Sequence, residues 1–146
     1  MNNKFDLSQY QIGQNLPEMK KHIVQDEINL YAKASRDFNP IHIDEEFAKK
    51  TPLGGTIAHG MLVLAYISQA MANSFGKEWL TGGSLNVRFK APARPGDIVT
   101  IEGKIQKIQK EPDQTVISCD ILCYNQKNEA VISGEAIVRL NNENIG

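Results

Sequence analysis

Gly60-Met61-Leu62-Val63-Leu64-Ala65-Tyr66-Ile67-Ser68-Gln69-Ala70-Met71-Ala72-Asn73-Ser74-Phe75 is the stretch whose reading decides the fold. It reads as one helix, apolar on nearly every side, yet it is shorter than the ~20 residues a membrane span needs. A helix that is hydrophobic all round in a soluble protein is buried all round. Something must wrap it.

The residues after it supply the wrapping. Ser84 to Lys90, Asp97 to Gln109, Thr115 to Tyr124 and Ala130 to Leu140 are β-rich, with Leu85, Val87 and Phe89 alternating with Asn86 and Arg88. Pro92, Pro95-Gly96, Pro112-Asp113 and Asn125 to Asn128 punctuate them as turns. Consecutive strands with short connections predict an antiparallel sheet, and helices gathered ahead of strands predict the α+β class. One strongly curved sheet around one long central helix is the economical arrangement, as a single domain over residues 1–146.

Before the helix, Met19 to Gln25 is expected to hold a short strand. Asp26 to Ser35 follows as a helix with Ile28, Leu30, Tyr31 and Ala34 at helical spacing, Asp26 and Glu27 favouring its N-terminal dipole. That helix is expected to end near Asn39, because Pro40 disfavours helical geometry in the residue before it. Asp44 to Lys50 is a second short helix with Asp44 as N-cap, and Thr51-Pro52-Leu53-Gly54-Gly55-Thr56 is a loop.

Composition narrows the function classes. The formal net charge is −1, from 16 basic and 17 acidic residues. Basic residues are scattered, and Lys20-Lys21 and Lys49-Lys50 are too short to track phosphates, so neither nucleic acid nor an anionic membrane is an expected partner. Met1-Asn2-Asn3-Lys4-Phe5-Asp6 has no apolar run behind its lysine; no signal peptide is expected there, and a cytoplasmic location is the default. Cys119 and Cys123 lie four residues apart in one expected strand, roughly 13 Å at ~3.3 Å per residue. A disulfide needs Cα atoms within about 7 Å, so they are expected as reduced core thiols. Two cysteines do not make a metal site.

Chemistry concentrates at Asp37-Phe38-Asn39-Pro40-Ile41-His42 and at Ala58-His59-Gly60-Met61. A carboxylate, an imidazole and a helix N-terminus are the parts needed to add water to, or remove it from, a polarised carbonyl compound. Taken singly, Asp37 is an ordinary helix-ending residue and His42 an ordinary structural histidine. Together, with Asn39 and Pro40 between them, they read as a pair that holds one water and moves its proton. Asn39 is expected to shape the turn through side-chain-to-backbone hydrogen bonds, with direct substrate contact the lesser role. His59 reads as structural or as a support to the site, and nothing recruits His22. Arg88 and Lys90 read as a solvated strand face.

These residues resemble a known family. Tyr31-Ala32-Lys33-Ala34-Ser35-Arg36-Asp37-Phe38-Asn39-Pro40-Ile41-His42, followed by Gly55-Thr56-Ile57-Ala58-His59-Gly60-Met61-Leu62, resembles the MaoC-like dehydratases, whose best-known members are (R)-specific enoyl-CoA hydratases. Leu85-Asn86-Val87-Arg88-Phe89-Lys90-Ala91-Pro92 with Pro95-Gly96-Asp97 resembles the family's first long strand and the turn after it. The similarity runs from about Glu18 to Arg139, and its Asp-x-Asn-Pro-x-His core is the specific part. The resemblance implies a hot-dog fold and at least a homodimer, with sites near the subunit interface. It implies Asp37 and His42 as the catalytic dyad and Gly60 as the backbone donor to the substrate carbonyl. Ser68 matches a position near the site, although the bland reading is a hydroxyl bonded to a preceding carbonyl. Asn39, Ser68, Leu53 and Met61 are the expected substrate-binding residues, with Leu64 and Tyr66 further lining the pocket.

The activity implied is hydration of trans-2-enoyl thioesters, or dehydration of 3-hydroxyacyl thioesters, in fatty acid metabolism. Coenzyme A or acyl carrier protein would be the substrate's carrier, with no cofactor and no metal. Three rivals stay open: the same chemistry on acyl carrier protein, a hot-dog acyl-CoA thioesterase, and a non-catalytic acyl-CoA sensor or structural subunit. A metal site from Asp37, His42 and His59 is formally available, but its spacing matches no common ligand pattern.

Overall fold

The computed structural model describes residues 3–146; Met1 and Asn2, part of the stretch read above for a targeting signal, lie outside the described residues. In chain order the main elements are β1 (Met19–His22), α1 (Gln25–Ser35), α2 (Pro40–Ile43), α3 (Glu45–Lys49), α4 (Gly60–Phe75), α5 (Lys77–Gly82), β2 (Gly83–Phe89), β3 (Ile98–Lys110), β4 (Gln114–Tyr124) and β5 (Ala130–Asn141). The strands form one antiparallel sheet in the order β1-β3-β4-β5-β2. A register shift between Ile105 and Lys107 of β3 adds local twist to it.

Period-two alternation sets the sheet's inner face. On β4, Thr115, Ile117, Cys119, Ile121 and Cys123 are buried, while Asp120 and Leu122 between them are exposed. Val99, Ile101 and Ile105 of β3 and Ala136, Val138 and Leu140 of β5 join the same core, against Leu62, Val63, Ile67, Met71 and Phe75 of α4. This is the α+β hot-dog arrangement, a curved sheet around a central helix. No helix of the described residues is long and apolar enough to cross a membrane.

Both cysteines lie on this buried face, unbridged. Burial pushes each thiol up to about 12, and at Cys119 the neighbouring Asp120 and Glu135 carboxylates add to the effect.

Three expectations are corrected. First, α4 is not buried on every side: Met61, Ala65 and Gln69, each four residues apart, are exposed, Met61 to 58%. One chain contributes five strands, and they cover only the opposite stripe. Second, α1 stops at Ser35 because Arg36 takes the left-handed conformation (φ 61°), a common helix stop. Pro40 then opens α2 at its first position, where its missing N–H costs nothing. Third, residues 77–82 form a helix that no periodicity announced. It buries Trp79, whose indole N–H donates to Ser68 Oγ at 2.9 Å. Ser68 Oγ therefore has an indole partner outside its own helix.

Ile67 is fully buried beneath the sheet. Ile67→Ala is expected to cost about 2–5 kcal/mol of stability through lost packing and a residual cavity. The check is the shift in urea midpoint at unchanged slope.

Candidate active site

Asp37 stands on the short extended link between α1 and α2. Its side chain is half exposed, and Oδ1 accepts the Asn39 N–H at 3.2 Å. Asn39 is the N-cap of α2, its own Oδ1 accepting the Ile41 N–H at 3.2 Å. Its carbonyl oxygen is spent on the turn, as the sequence reading expected. These two local bonds aim α2 so that His42, two residues inside it, is buried with Nε2 3.9 Å from Asp37 Oδ2. That gap is too long for a direct hydrogen bond, and one water at ~2.8 Å from each atom fits it.

The state of His42 follows from its other nitrogen. Nδ1 lies 2.8 Å from the carbonyl of Ile57, which only accepts, so Nδ1 carries the proton of the neutral ring. In the neutral ring Nε2 is then the lone pair facing Asp37, placed to take a proton from a water held there. Against the His42 ring lies His59, its centroid 3.8 Å away and its plane inclined by 24°. His59 Nε2 lies 3.0 Å from the backbone carbonyl of Asp37.

His59 is also the residue that precedes α4, and it makes no side-chain cap bond. Among the described residues the Gly60 N–H has no acceptor, so a donor at the positive end of the helix is free one residue from the stacked imidazoles. A Cβ at residue 60 would come within 3.0 Å of the Phe89 ring. Glycine therefore serves the packing of Phe89 as well as leaving the amide uncovered.

The sequence-predicted residues do not all gather here. Asp37, His42 and Gly60 are brought together, with Asn39 as the cap beneath them. Met61 is exposed beside Gly60. Leu53 is half buried on its loop, its carbonyl held by the Arg94 guanidinium. Ser68 lies eight residues along α4, about 12 Å from Gly60 at 1.5 Å per residue, engaged with Trp79.

Sequence reasoning missed a polar clamp behind the dyad. Gln25 Nε2 donates to the His42 carbonyl at 2.7 Å, Thr56 Oγ1 donates to Gln25 Oε1 at 2.8 Å, and Thr56 N–H donates to Glu45 Oε2 at 3.0 Å. No motif marks these residues, because each bonds to a partner 11 or more positions away in the chain. Asp37, His42 and His59 each offer an atom within 4.8 Å of the others. Two nearly parallel rings do not aim in-plane lone pairs at one point ~2 Å from both, so the stack fits proton handling better than metal ligation.

Residues 8–120 match the model of the MaoC like domain. The chain belongs to that family. It is 31% identical over 122 residues to the 3-hydroxybutyryl-CoA dehydratase of Methylorubrum extorquens, covering 84% of this chain and 76% of that protein. It is 30% identical over 131 residues to the (R)-specific enoyl-CoA hydratase of Aeromonas caviae, covering 89% and 95%. Among solved structures, the unliganded R-hydratase PhaJ1 from Pseudomonas aeruginosa superposes with a TM-score of 0.79 at 28% identity, over 94% of this chain and 86% of that one.

Hydrogen bonds from the Thr56 backbone and then its hydroxyl hold the Glu45 carboxyl below its ordinary value of 4.5. A carboxyl depressed in the folded state stabilises above its unfolded pKa, and that contribution disappears as pH falls through the folded one. Glu45→Gln is thus expected to lower the melting temperature at neutral pH, with the difference from wild type closing as pH drops below about 4.5. Melts across a pH 3–7 series (roughly) check the sign.

Proposed function

We propose that this MaoC-like protein is a hydro-lyase acting as an (R)-specific enoyl-CoA hydratase, working in reverse as a 3-hydroxyacyl-CoA dehydratase. The observation that carries the reading is the 3.9 Å gap between Asp37 Oδ2 and His42 Nε2, beside the free amide of Gly60. The names of the relatives support the substrate class.

In a trans-2-enoyl thioester the carbonyl withdraws electron density from C3. Asp37 and His42 hold a water between them, and its oxygen bonds to C3 as the C2=C3 π pair shifts toward the thioester oxygen. One water proton passes to the dyad, and the Gly60 N–H donates to the oxygen on which negative charge grows. The dyad then returns a proton to C2, closing the balance of one water added. Because OH and H come from the same side, addition is syn. Nothing in these steps calls on a bound cofactor or metal, and coenzyme A enters only as the substrate's carrier.

The working unit is proposed as a homodimer or larger homo-oligomer in the cytoplasm. The support is the apolar surface that one chain leaves open beside Gly60: Met61 and Phe89 are more than half exposed, and among the described residues β2 is a sheet edge paired only with β5. A second copy on that edge would cover the face of α4 that the chain's own sheet does not reach.

The test is loss of the enoyl absorbance of crotonyl-CoA. Wild type is expected to give the (R)-3-hydroxy product, and Asp37→Asn and His42→Ala each to cost at least ~10²-fold in turnover with the fold intact. Release of free coenzyme A from acyl-CoA while crotonyl-CoA stays unhydrated would replace this reading with a thioesterase.

A further inference from the structure

We propose that His59 is a positioning residue for this reaction, fixing Asp37 and His42 relative to each other. The inference rests on the reading of those two residues as the water-handling dyad. Asp37 and His42 belong to one stretch, the link into α2 and α2 itself, and Ile57 to Gly60 belong to another, the loop that enters α4. Three bonds join them: Ile57 N–H to the Ile41 carbonyl at 3.0 Å, His42 Nδ1–H to the Ile57 carbonyl at 2.8 Å, and His59 Nε2–H to the Asp37 carbonyl at 3.0 Å. Each imidazole thus donates to the backbone of the segment that carries the other. The rings meet face to face at 3.8 Å, and Tyr31 packs on His59 with centroids 4.8 Å apart.

Among the described residues, only the His59 hydrogen bond ties Asp37 to a distant part of the chain. The other hydrogen bonds at Asp37 are local: its N–H donates to Ser35 Oγ, and Oδ1 accepts from Asn39. Arg36 before it is left-handed and exposed, so the segment has no helical rigidity of its own. Without His59 the carboxylate hangs from contacts two residues away on either side.

The choice of an imidazole is itself informative. His59 is 2% exposed and, among the described residues, its Nδ1 has no partner. A residue kept for packing alone is better served by phenylalanine, which fills similar space and buries no unpaired nitrogen. What the imidazole adds is the Nε2–H, and its acceptor is the backbone of the dyad's carboxylate. The same residue precedes Gly60, so one side chain places the acid, the base and the start of the oxyanion donor.

Two substitutions in the full chain separate this role from packing. His59→Phe keeps a ring against His42 and removes the donor; His59→Gln keeps a donor and removes the ring. With crotonyl-CoA, His59→Phe is expected to lower kcat by about 10–100-fold while KM stays within about threefold, since a misplaced group costs turnover more than binding. His59→Gln is expected to regain part of that loss. In wild type, nitrogen-15 imidazole spectra are expected to show His42 protonated at Nδ1 and His59 at Nε2. Wild-type kcat in His59→Phe, losses that merely track the folded fraction, or His59 protonated at Nδ1 would each overturn the inference. Should His59→Phe not fold, His59→Gln and the tautomers decide. Activity retained in Asp37→Asn and His42→Ala would instead remove the dyad itself, whatever the tautomers show.

Discussion

Two backbone carbonyls hold this site in shape: that of Ile57 accepting from His42, and that of Asp37 accepting from His59. A carbonyl cannot donate, so each bond dictates which ring nitrogen carries hydrogen and which stays bare. Had either imidazole faced a hydroxyl instead, which both donates and accepts, its tautomer would be free to change. The placement of the two imidazoles and their tautomers thus come from the same bonds. Both bonds depend on the link into α2 and the loop into α4 lying side by side.

The rest of the molecule serves that adjacency. Behind the dyad, Gln25, Thr56 and Glu45 join α1, α3 and the loop before α4 through side-chain bonds. The Ala58 N–H donates to the Ala93 carbonyl, tying the second segment to the turn between β2 and β3. Below, α4 is anchored by a continuous apolar core, so the amide at its start is presented by a rigid element. Residues on or beside loops carry the proposed chemistry, and buried helices and strands remove their freedom.

The fold and the closeness of Asp37 to His42 were largely legible in the sequence, for different reasons. Alternation in the four long strands is a local signal, and their bounds in the structure differ from the sequence reading by a residue or so. The apolar run from Gly60 to Phe75 marked the central helix, but its composition overstated its burial, since Met61 and Ala65 face away from the chain's own sheet. Asp37, Asn39 and His42 form a motif because capping and turn chemistry need those residues at short spacing. The role of His59 needed coordinates: its partners are 17 and 22 positions away, and such pairings leave no periodicity. The same holds for Trp79 on Ser68 and for Gln25 on His42, where short helices and single long-range bonds escape any pattern.

The paired sulfurs of β4 carry one more implication. Only the thiolate attacks alkylating reagents or forms mixed disulfides, and at about 12 for both groups almost none exists near neutrality. Neither sulfur is at the surface, and both sit in the middle of the sheet, flanked by β3 and β5. A reagent therefore reaches them through molecules whose central strands have parted. The rate at which this protein consumes such a reagent is then a clock for the opening of its most cooperative region, supplied by the natural chain without any engineered probe.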